Sequence, residues 1–248
     1  MKRPNVQRHI PSFFTLINLF LGFLAILNVQ SGNFTHACYY ILIAGVFDSL
    51  DGKIARKVGI TSSFGTEIDS LADMVSFCLA PSVLVYTLYT KGLPGISGEL
   101  IAATPLILGA IRLAKFNTLH EESPKSYFIG LPTPVNALAI VSLVLWTESM
   151  KLTTPEYTQP RLLIPIIIYI SFLMVSKIKY PKFPLLNIKS GTDNNMRLFG
   201  LVLFMVCFIV SFFYDLQFWI LMGFASFYIL YGIIKRLTDP DYGDIPQS

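Results

Sequence analysis

Four carboxylates stand in one short stretch of this sequence, bounded on both sides by strongly apolar segments: Asp48, Asp51, Asp69 and Asp73. On an α-helix, residues three or four positions apart share a face, so the aspartates form two pairs on two helices. The connection between the pairs is short enough to make those helices antiparallel neighbours. Clustered carboxylates bind hard divalent cations, Mg²⁺, Mn²⁺ or Ca²⁺, in preference to zinc.

The depth of these aspartates in a membrane strengthens the metal hypothesis. A spanning helix needs about 20 residues, and a count from Phe34 reaches Lys53, which places the first pair inside the bilayer near its exit. Each charge costs roughly 2.5–3.5 kcal/mol at a helix centre. Arg56 is a single positive charge and cannot balance four carboxylates. We therefore expect one or two divalent cations among them.

The neighbouring residues suit phosphate chemistry. Gly52 and Ala55 leave room for a ligand beside the acids, and the guanidinium of Arg56 fits two phosphate oxygens at once. Anchoring at the membrane interface is the alternative role for Arg56. Gly65 opens the second helix. Asp73 lies one turn deeper than Asp69 and is the predicted general base.

The whole sequence has the composition of a membrane protein. Hydrophobic residues make up 53% of the 248 residues and charged residues 14%, against roughly 25% charged residues in a soluble domain. The predicted fold is an all-α, polytopic helical bundle, and no nucleic-acid partner is expected. The apolar segments predict about eight transmembrane helices: Pro11–Val29, Phe34–Lys57, Gly65–Tyr89, Glu99–Phe116, Leu131–Thr147, Arg161–Lys177, Met196–Tyr214 and Leu216–Lys235.

The basic residues predict the orientation of this bundle. With a cytoplasmic N-terminus, all but three of the 19 lysines and arginines fall on the inner side, the exceptions being Lys91, Lys151 and Arg161. This asymmetry follows the positive-inside rule. It predicts a multi-pass protein of the cell (inner) membrane, in contact with membrane lipids, with both termini and the aspartates on the cytoplasmic side.

Two further sets of polar residues lie in apolar surroundings. Asn18 interrupts the first helix, where a hydrogen bond to a neighbouring helix is the usual role and a ligand contact is the alternative. Arg112 lies one turn inside the membrane, ahead of Lys115 and Asn117. Anchoring at the interface accounts for Lys115 better than for Arg112.

Three classes of function remain for comparison. An ion-coupled transporter would carry polar groups at the membrane midplane and often shows inverted repeats, neither of which stands out here. A structural or lipid-scaffolding protein would not tolerate four unneutralised acids. An enzyme with a metal site at headgroup level fits best, with phosphate chemistry on a lipid as its reaction.

The spacing of these residues resembles, at all eight positions, the signature of the CDP-alcohol phosphatidyltransferase family. The residues that carry the resemblance are Asp48-x2-Asp51-Gly52-x2-Ala55-Arg56-x8-Gly65-x3-Asp69-x3-Asp73. Less specific motifs are similar to the branch of the family that uses L-serine: Asn5, Thr15-Leu-Ile-Asn18-Leu, Arg112-Leu-Ala-Lys-Phe-Asn117 and Gly130-Leu-Pro-Thr-Pro134.

The resemblance implies the fold of that family and a reaction. The hydroxyl of L-serine would attack the β-phosphate of CDP-diacylglycerol, giving phosphatidylserine and CMP. Two divalent cations, Mg²⁺ or Mn²⁺, would assist the attack, and the protein would be a homodimer. The implied metal ligands are Asp48, Asp51, Asp69 and Asp73, with Asp73 also the base. CDP-diacylglycerol would contact Asn18, Gly52, Ala55, Arg56 and Gly65, and the acceptor Arg112, Lys115 and Asn117.

The sequence indicates the identity of the acceptor alcohol less specifically than the metal site. Glycerol 3-phosphate or inositol phosphate would need an additional basic cluster near the site, and choline an aromatic cage; neither stands out, and all three stay as alternatives to serine.

The predicted organisation is a catalytic membrane domain of six helices over 1–178, a basic cytoplasmic loop over 179–195, two further transmembrane helices over 196–236 and a polar tail over 237–248.

Overall fold

The computed structural model describes residues 13–58, 63–118, 127–153, 161–181, 192–214 and 216–238. Its elements, in chain order, are α1 (Phe13–Gln30), α2 (Phe34–Val58), α3 (Ser63–Asp73), a π-helical stretch (Met74–Leu79), α4 (Ala80–Val85), a second π-helical stretch (Tyr86–Thr90), α5 (Ser97–Ala102), α6 (Thr104–Thr118), β1 (Tyr127–Ile129), α7 (Thr133–Thr153), a 3₁₀ turn (Arg161–Leu163), α8 (Ile164–Leu173), β2 (Lys179–Pro181), α9 (Thr192–Ser211), a 3₁₀ turn (Phe212–Tyr214) and α10 (Gln217–Thr238).

The predicted helical membrane protein is confirmed, whereas the number of membrane crossings stays a prediction. Four helices within the described ranges are long and apolar enough to cross a bilayer: Phe13–Gln30, Phe64–Thr90, Asn194–Ser211 and Gln217–Thr238. Helices α2 and α7 are also longer than about 20 residues. They carry polar side chains, including Asp48 and Asp51 in α2, and these lower their hydropathy.

Several helix boundaries differ from the predicted ones. The predicted fourth helix is divided at Ala103, because Pro105 in the first turn of α6 has no amide hydrogen to donate to the turn before it. Helix α7 begins at Thr133, between two prolines that suit a helix start, and continues to Thr153. Helix α8 ends at Leu173 rather than Lys177.

The long helix Phe64–Thr90 is not a regular α-helix. It winds as a π-helix over Met74–Leu79, immediately before Pro81, and again over Tyr86–Thr90. Proline cannot supply an amide hydrogen to the preceding turn, and widened turns occur where the regular bonding pattern is interrupted. Asp73 is the last residue before the first widened turn, so this irregularity lies directly beside the predicted site.

Helix α7 lies at the centre of the bundle. Between Val135 and Leu145 almost every side chain is buried, and α7 packs against α2, α10, α8 and the first π-helical stretch. Helices α1 and α2 form the most extensive pair. Helix α9 packs mainly against α10 and exposes apolar side chains such as Phe199 and Val206, as expected of a surface that faces lipid.

A short antiparallel ladder joins the stretch before α7 to the start of the predicted basic loop. Tyr127 pairs with Pro181, Phe128 with Tyr180 and Ile129 with Lys179. Tyr180 is fully buried and stacks on Tyr228 of α10 at a ring-centroid distance of 5.5 Å. The start of the predicted basic loop is therefore packed into the protein, and the fold is all-α apart from this ladder.

Three basic residues lie at one end of the bundle, away from the carboxylate cluster. Lys151 lies over the ring of Phe34 at 5.5 Å, and the 3₁₀ turn that begins at Arg161 packs against the second π-helical stretch, which ends beside Lys91. The three basic residues predicted to lie outside are thus at the end opposite Asp48 and Asp73.

Candidate active site

Three of the four predicted aspartates come together where α2 and α3 meet. Each of Asp48, Asp69 and Asp73 offers a carboxylate oxygen, and these oxygens all lie within 4.8 Å of one another. The side chains are half-buried. Helix α2 supplies the first from its C-terminal half, and α3 supplies the other two from successive turns of one face, as the four-residue spacing predicts.

Helix α1 lies against this cluster and orients its members. The fully buried Asn18 side chain donates a hydrogen bond from Nδ2 to Oδ1 of Asp73 over 3.1 Å. Ser76 in the π-helical stretch donates to the backbone oxygen of Asn18 over 2.8 Å. These contacts attach α1 to the helix that carries Asp73 at the level where the metal is expected.

The close approach of α1 depends on a glycine. A Cβ atom added at Gly22 would lie 2.9 Å from the Cα atom of Ser76, closer than side chains approach backbone. The absence of a side chain at Gly22 lets α1 reach the π-helical stretch and place Asn18 against Asp73.

Asp51, the fourth predicted ligand, lies beside the cluster rather than within it. It is buried, with 7% of its surface exposed, and it accepts a hydrogen bond from the hydroxyl of Thr15 on α1. It is near enough to Asp48 and Asp69 for their negative charges to repel. Thr15 and Asn18 are three residues apart, so one face of α1 contacts carboxylates from both α2 and α3.

The donor set of this cluster fits a divalent cation. Asp69 Oδ1 is buried, and the described residues provide no hydrogen-bond partner for it. Three carboxylates held close together repel one another, and this cost is high in partly buried surroundings. Carboxylate oxygens are the ligands that Mg²⁺, Mn²⁺ and Ca²⁺ prefer. A cation among Asp48, Asp69 and Asp73 would therefore satisfy both the unpaired oxygen and the excess negative charge.

Arg112 of α6 reaches the same region from the other side. Its side chain has 8% of its surface exposed, and its Nε atom has no hydrogen-bond partner among the residues that the structure describes. It lies near enough to Asp73 and Cys78 to interact with them electrostatically. A buried guanidinium beside a carboxylate cluster can hold an anionic group next to a metal.

Two other predicted acceptor residues lie apart from Arg112. Lys115 is exposed. Asn117 exchanges hydrogen bonds with Ser70 at 3.0 and 3.2 Å, and donates to Glu67 over 3.3 Å. The contacts of Asn117 therefore connect the end of α6 to α3 at the surface of the site.

The predicted residues around the diphosphate are only partly described. Gly52, Ala55 and Arg56 belong to α2, but their side chains lie outside the described part of the molecule. Gly65 is half-buried in the first turn of α3. The role predicted for Arg56 accordingly stays a prediction.

Three residues at or near the site were given no role in the sequence analysis, although the first two belong to motifs quoted there: Thr15, Thr133 and Asn136. Thr15 lies one turn from Asn18 in an apolar run, and that spacing could have indicated its role. Thr133 and Asn136 lie in the first turns of α7 and are 1% and 0% exposed. Threonine at a helix start is common for capping reasons alone, so its position gave no separate signal of a site.

Comparison with known proteins adds an independent finding. The sequence model of one family, CDP-alcohol phosphatidyltransferase, matches residues 8–176. This range contains the three clustered carboxylates, Asp51 and Arg112.

Individual relatives extend the similarity over most of the chain. A CDP-diacylglycerol–serine O-phosphatidyltransferase of Helicobacter pylori (strain ATCC 700392 / 26695) is 36% identical over 227 residues, covering 92% of this chain and 90% of that protein. One from Methanocaldococcus jannaschii is 37% identical, covering 71% and 75%. An archaetidylserine synthase of Methanothermobacter thermautotrophicus is 36% identical, covering 70% of each.

Proposed function

This chain belongs to the CDP-alcohol phosphatidyltransferase family, and from that membership we propose that it transfers the phosphatidyl group of CDP-diacylglycerol to L-serine. The products are phosphatidylserine and CMP. The observation that carries the proposal is the cluster of Asp48, Asp69 and Asp73 beside the buried Arg112. Two relatives named CDP-diacylglycerol–serine O-phosphatidyltransferase are similar over 92% and 71% of the chain.

The binding of the cations is assigned to the aspartates. Asp48, Asp51, Asp69 and Asp73 would hold two divalent cations, Mg²⁺ or Mn²⁺, and the oxygens of Asp48, Asp69 and Asp73 are close enough together to share one of them. Bound cations of this kind neutralise the diphosphate and the departing CMP. Asn18 and Thr15 fix the carboxylates of Asp73 and Asp51 in place, as partners of metal ligands commonly do.

The proton transfer is assigned to Asp73. Asp73, whose Oδ1 accepts a hydrogen bond from Asn18, accepts the proton of the serine hydroxyl. The serine oxygen then forms a bond to the β-phosphorus, the bond between that phosphorus and the oxygen of CMP breaks, and CMP leaves. Gly52, Ala55, Arg56 and Gly65 hold the cytidine diphosphate portion, and the buried Arg112 binds the serine carboxylate.

The proposal includes the setting of the enzyme. Catalysis takes place at the cytoplasmic side of the cell membrane, with both termini on that side. Residues 1–178 form the catalytic domain, 179–195 a basic loop and 196–236 two further transmembrane helices, followed by a polar tail over 237–248. The family resemblance adds a homodimer, which cross-linking in native membranes tests directly.

The decisive experiment follows CMP release from CDP-diacylglycerol by the purified protein. L-Serine, glycerol 3-phosphate, inositol phosphate and choline are supplied in turn with Mg²⁺ or Mn²⁺. Of the four acceptors, we expect only L-serine to cause CMP release. Exhaustive chelation should abolish this release, and restoring Mg²⁺ or Mn²⁺ should recover it. Release with another alcohol in place of serine would show that serine is not the acceptor. Full activity after chelation would contradict the metal-dependent mechanism.

A further inference from the structure

A group of buried polar side chains without partners lies between α6 and α7, beyond the carboxylate cluster. Arg112 Nε, Thr133 Oγ1 and both polar atoms of the Asn136 amide have no hydrogen-bond partner among the described residues. The three side chains are 8%, 1% and 0% exposed. Buried polar groups in proteins are almost always hydrogen-bonded, so four unpaired atoms in one region indicate that a polar ligand belongs there.

The contacts between α6 and the long helix bring these side chains to one place. A Cβ atom added at Gly109 would lie 3.2 Å from Cβ of Cys78 and 3.7 Å from Cγ2 of Thr133. Arg112 lies one turn beyond Gly109 on α6 and interacts electrostatically with Cys78. The start of α7, the middle of α6 and the π-helical stretch therefore meet around Cys78, next to Asp73.

The directions of the side chains bring Arg112 and Asn136 towards each other. Arg112 lies about 4.5 Å further along α6 than Gly109, and Asn136 about 4.5 Å further along α7 than Thr133. Helical side chains lean towards the N-terminus of their own helix. Consecutive spanning helices run in opposite directions, so in the predicted bundle Arg112 of α6 and Asn136 of α7 lean towards each other. We call the region bounded by Arg112, Thr133 and Asn136 the α6–α7 pocket.

The charge of the α6–α7 pocket defines its ligand. Arg112 interacts electrostatically with Asp73 but forms no salt bridge within the described part of the chain, and its Nε atom has no described partner. A guanidinium in this state suits an anionic group with two oxygens, such as a carboxylate. The Thr133 hydroxyl and the Asn136 amide oxygen are acceptors that suit an ammonium group. A small zwitterion satisfies all of these groups.

We propose that the α6–α7 pocket is the binding site for the amino-acid acceptor. Arg112 binds the carboxylate of L-serine, Thr133 and Asn136 accept hydrogen bonds from its ammonium group, and its hydroxyl points to Asp73. This assignment rests on the proposed function. It moves the acceptor away from Lys115 and Asn117, which are exposed or bonded to α3.

Two variants of nearly unchanged shape test the pocket: Thr133→Val and Asn136→Leu. Each removes polar atoms that have no described partner, so each should fold and should melt at the same temperature as the wild type or higher. Each should raise the KM for L-serine about tenfold to a hundredfold, the usual loss for a hydrogen bond to a charged group. The KM for CDP-diacylglycerol should stay within about twofold.

A matched control comes from the same helix. Ser142 is buried, but its hydroxyl donates to Ala139 of its own helix over 2.8 Å, so Ser142→Ala should change neither KM. 3-Hydroxypropionate, which lacks the ammonium group, should react poorly with the wild type and equally poorly with both pocket variants.

The following outcomes would contradict either the pocket assignment or the proposed function. An unchanged KM for L-serine in both variants overturns the pocket assignment, as does an equal rise for serine and CDP-diacylglycerol. A variant that fails to fold shows that its polar group has a structural partner, which also overturns it. If the wild type releases no CMP with L-serine, the proposed function itself fails, and the pocket loses its ligand.

Discussion

Asp73 accepts a hydrogen bond from Asn18 of α1 and lies among the other carboxylates of the cluster. A carboxylate fixed in this way presents one oxygen to an incoming hydroxyl with little reorganisation. The same residue is predicted from sequence spacing as the general base. Its position next to the buried Arg112 adds a cation at the place where the acceptor would bind.

Asp73→Asn should abolish turnover while leaving substrate binding intact. The two side chains have nearly the same shape, but the amide cannot accept the proton of serine. A general base contributes about 10²–10⁴-fold, so kcat should fall at least a hundredfold while CDP-diacylglycerol still binds at saturating Mg²⁺. Retention of more than about a tenth of wild-type kcat would assign the base to another group.

Thr15→Val should weaken metal binding without removing a metal ligand. Valine keeps the shape of threonine but cannot donate to Asp51. Loss of such a partner typically costs 10–100-fold in metal affinity, so the Kd for Mn²⁺, measured by titration of the substrate-free protein, should rise by about that factor.

The control for Thr15 makes the same substitution elsewhere. The Thr87 hydroxyl donates to Val83 of its own helix, over 2.9 Å, so Thr87→Val should leave the Kd for Mn²⁺ unchanged. Equal Kd values for the Thr15 and Thr87 variants would mean that Thr15 contributes helix packing alone.

At the scale of single residues, the sequence predicts acids better than their partners. The aspartates are predictable because helix periodicity and membrane depth together restrict where four charges can lie. The bond between Asn18 and Asp73 joins residues 55 positions apart, and no local pattern encodes it. Thr133 and Asn136 escape prediction because small polar residues at a helix start have common structural roles.

At the scale of elements, the contact between α1 and the π-helical stretch decides how the site is assembled. Gly22→Ala would bring a methyl group within 2.9 Å of the Ser76 backbone. Overpacking typically costs about 1–3 kcal/mol, and here it would also separate Asn18 from Asp73. We expect a lower melting temperature and a fall in kcat, measured on the same detergent-purified sample.

The matched control is a glycine in another helix. A Cβ atom added at Gly223 of α10 meets nothing within 4 Å. Gly223→Ala should therefore preserve kcat and should stabilise the helix slightly, since alanine is favoured over glycine by up to about 1 kcal/mol. If the two alanine variants behave alike, close packing at Gly22 is not required.

For secondary-structure elements, as for single residues, local patterns are predictable from the sequence and features that depend on tertiary contacts are not. Long apolar runs predict where helices occur, and all eight predicted segments contain helix in the described residues. The break at Ala103 and the widened turns before Pro81 depend on which neighbours accept the backbone groups that proline leaves unpaired. These partners come from tertiary structure, so the sequence marks the prolines without predicting the outcome.

At the scale of the whole molecule, the separation of Lys91, Lys151 and Arg161 from the carboxylate cluster bears on orientation. Cysteine labelling in intact cells tests the proposed one, in a protein whose exposed Cys207 is first replaced by alanine. A membrane-impermeant thiol reagent should label Ile96→Cys, which is at an exposed position. It should not label Lys177→Cys until the cells are permeabilised, although this position is also exposed. Labelling of position 177 from outside would reverse the orientation.

The ladder between β1 and β2 is the feature of the whole molecule that the sequence indicates least. Three-residue strands carry too little alternation to be recognised, and their pairing joins loops about 50 residues apart. Gly130 is the clearest trace: its φ is +74°, and a side chain there would collide with Met174. A glycine that follows a loop and precedes a proline predicts a turn, but not the strand that it brings into position.

This ladder also sets an order of events during synthesis. The carboxylate cluster is complete once the ribosome has made α1, α2 and α3, whereas β1 must wait for β2 before it can pair. The hydroxyl of Tyr228, which donates to the carbonyl of Pro181 over 2.8 Å, arrives later still. The nascent chain therefore acquires its metal ligands early and fixes the start of α7, with Thr133 and Asn136, near the end of translation. If translation stopped before α10, the chain would contain all the carboxylates of the metal site. The ladder beside its acceptor pocket would lack the hydrogen bond from Tyr228.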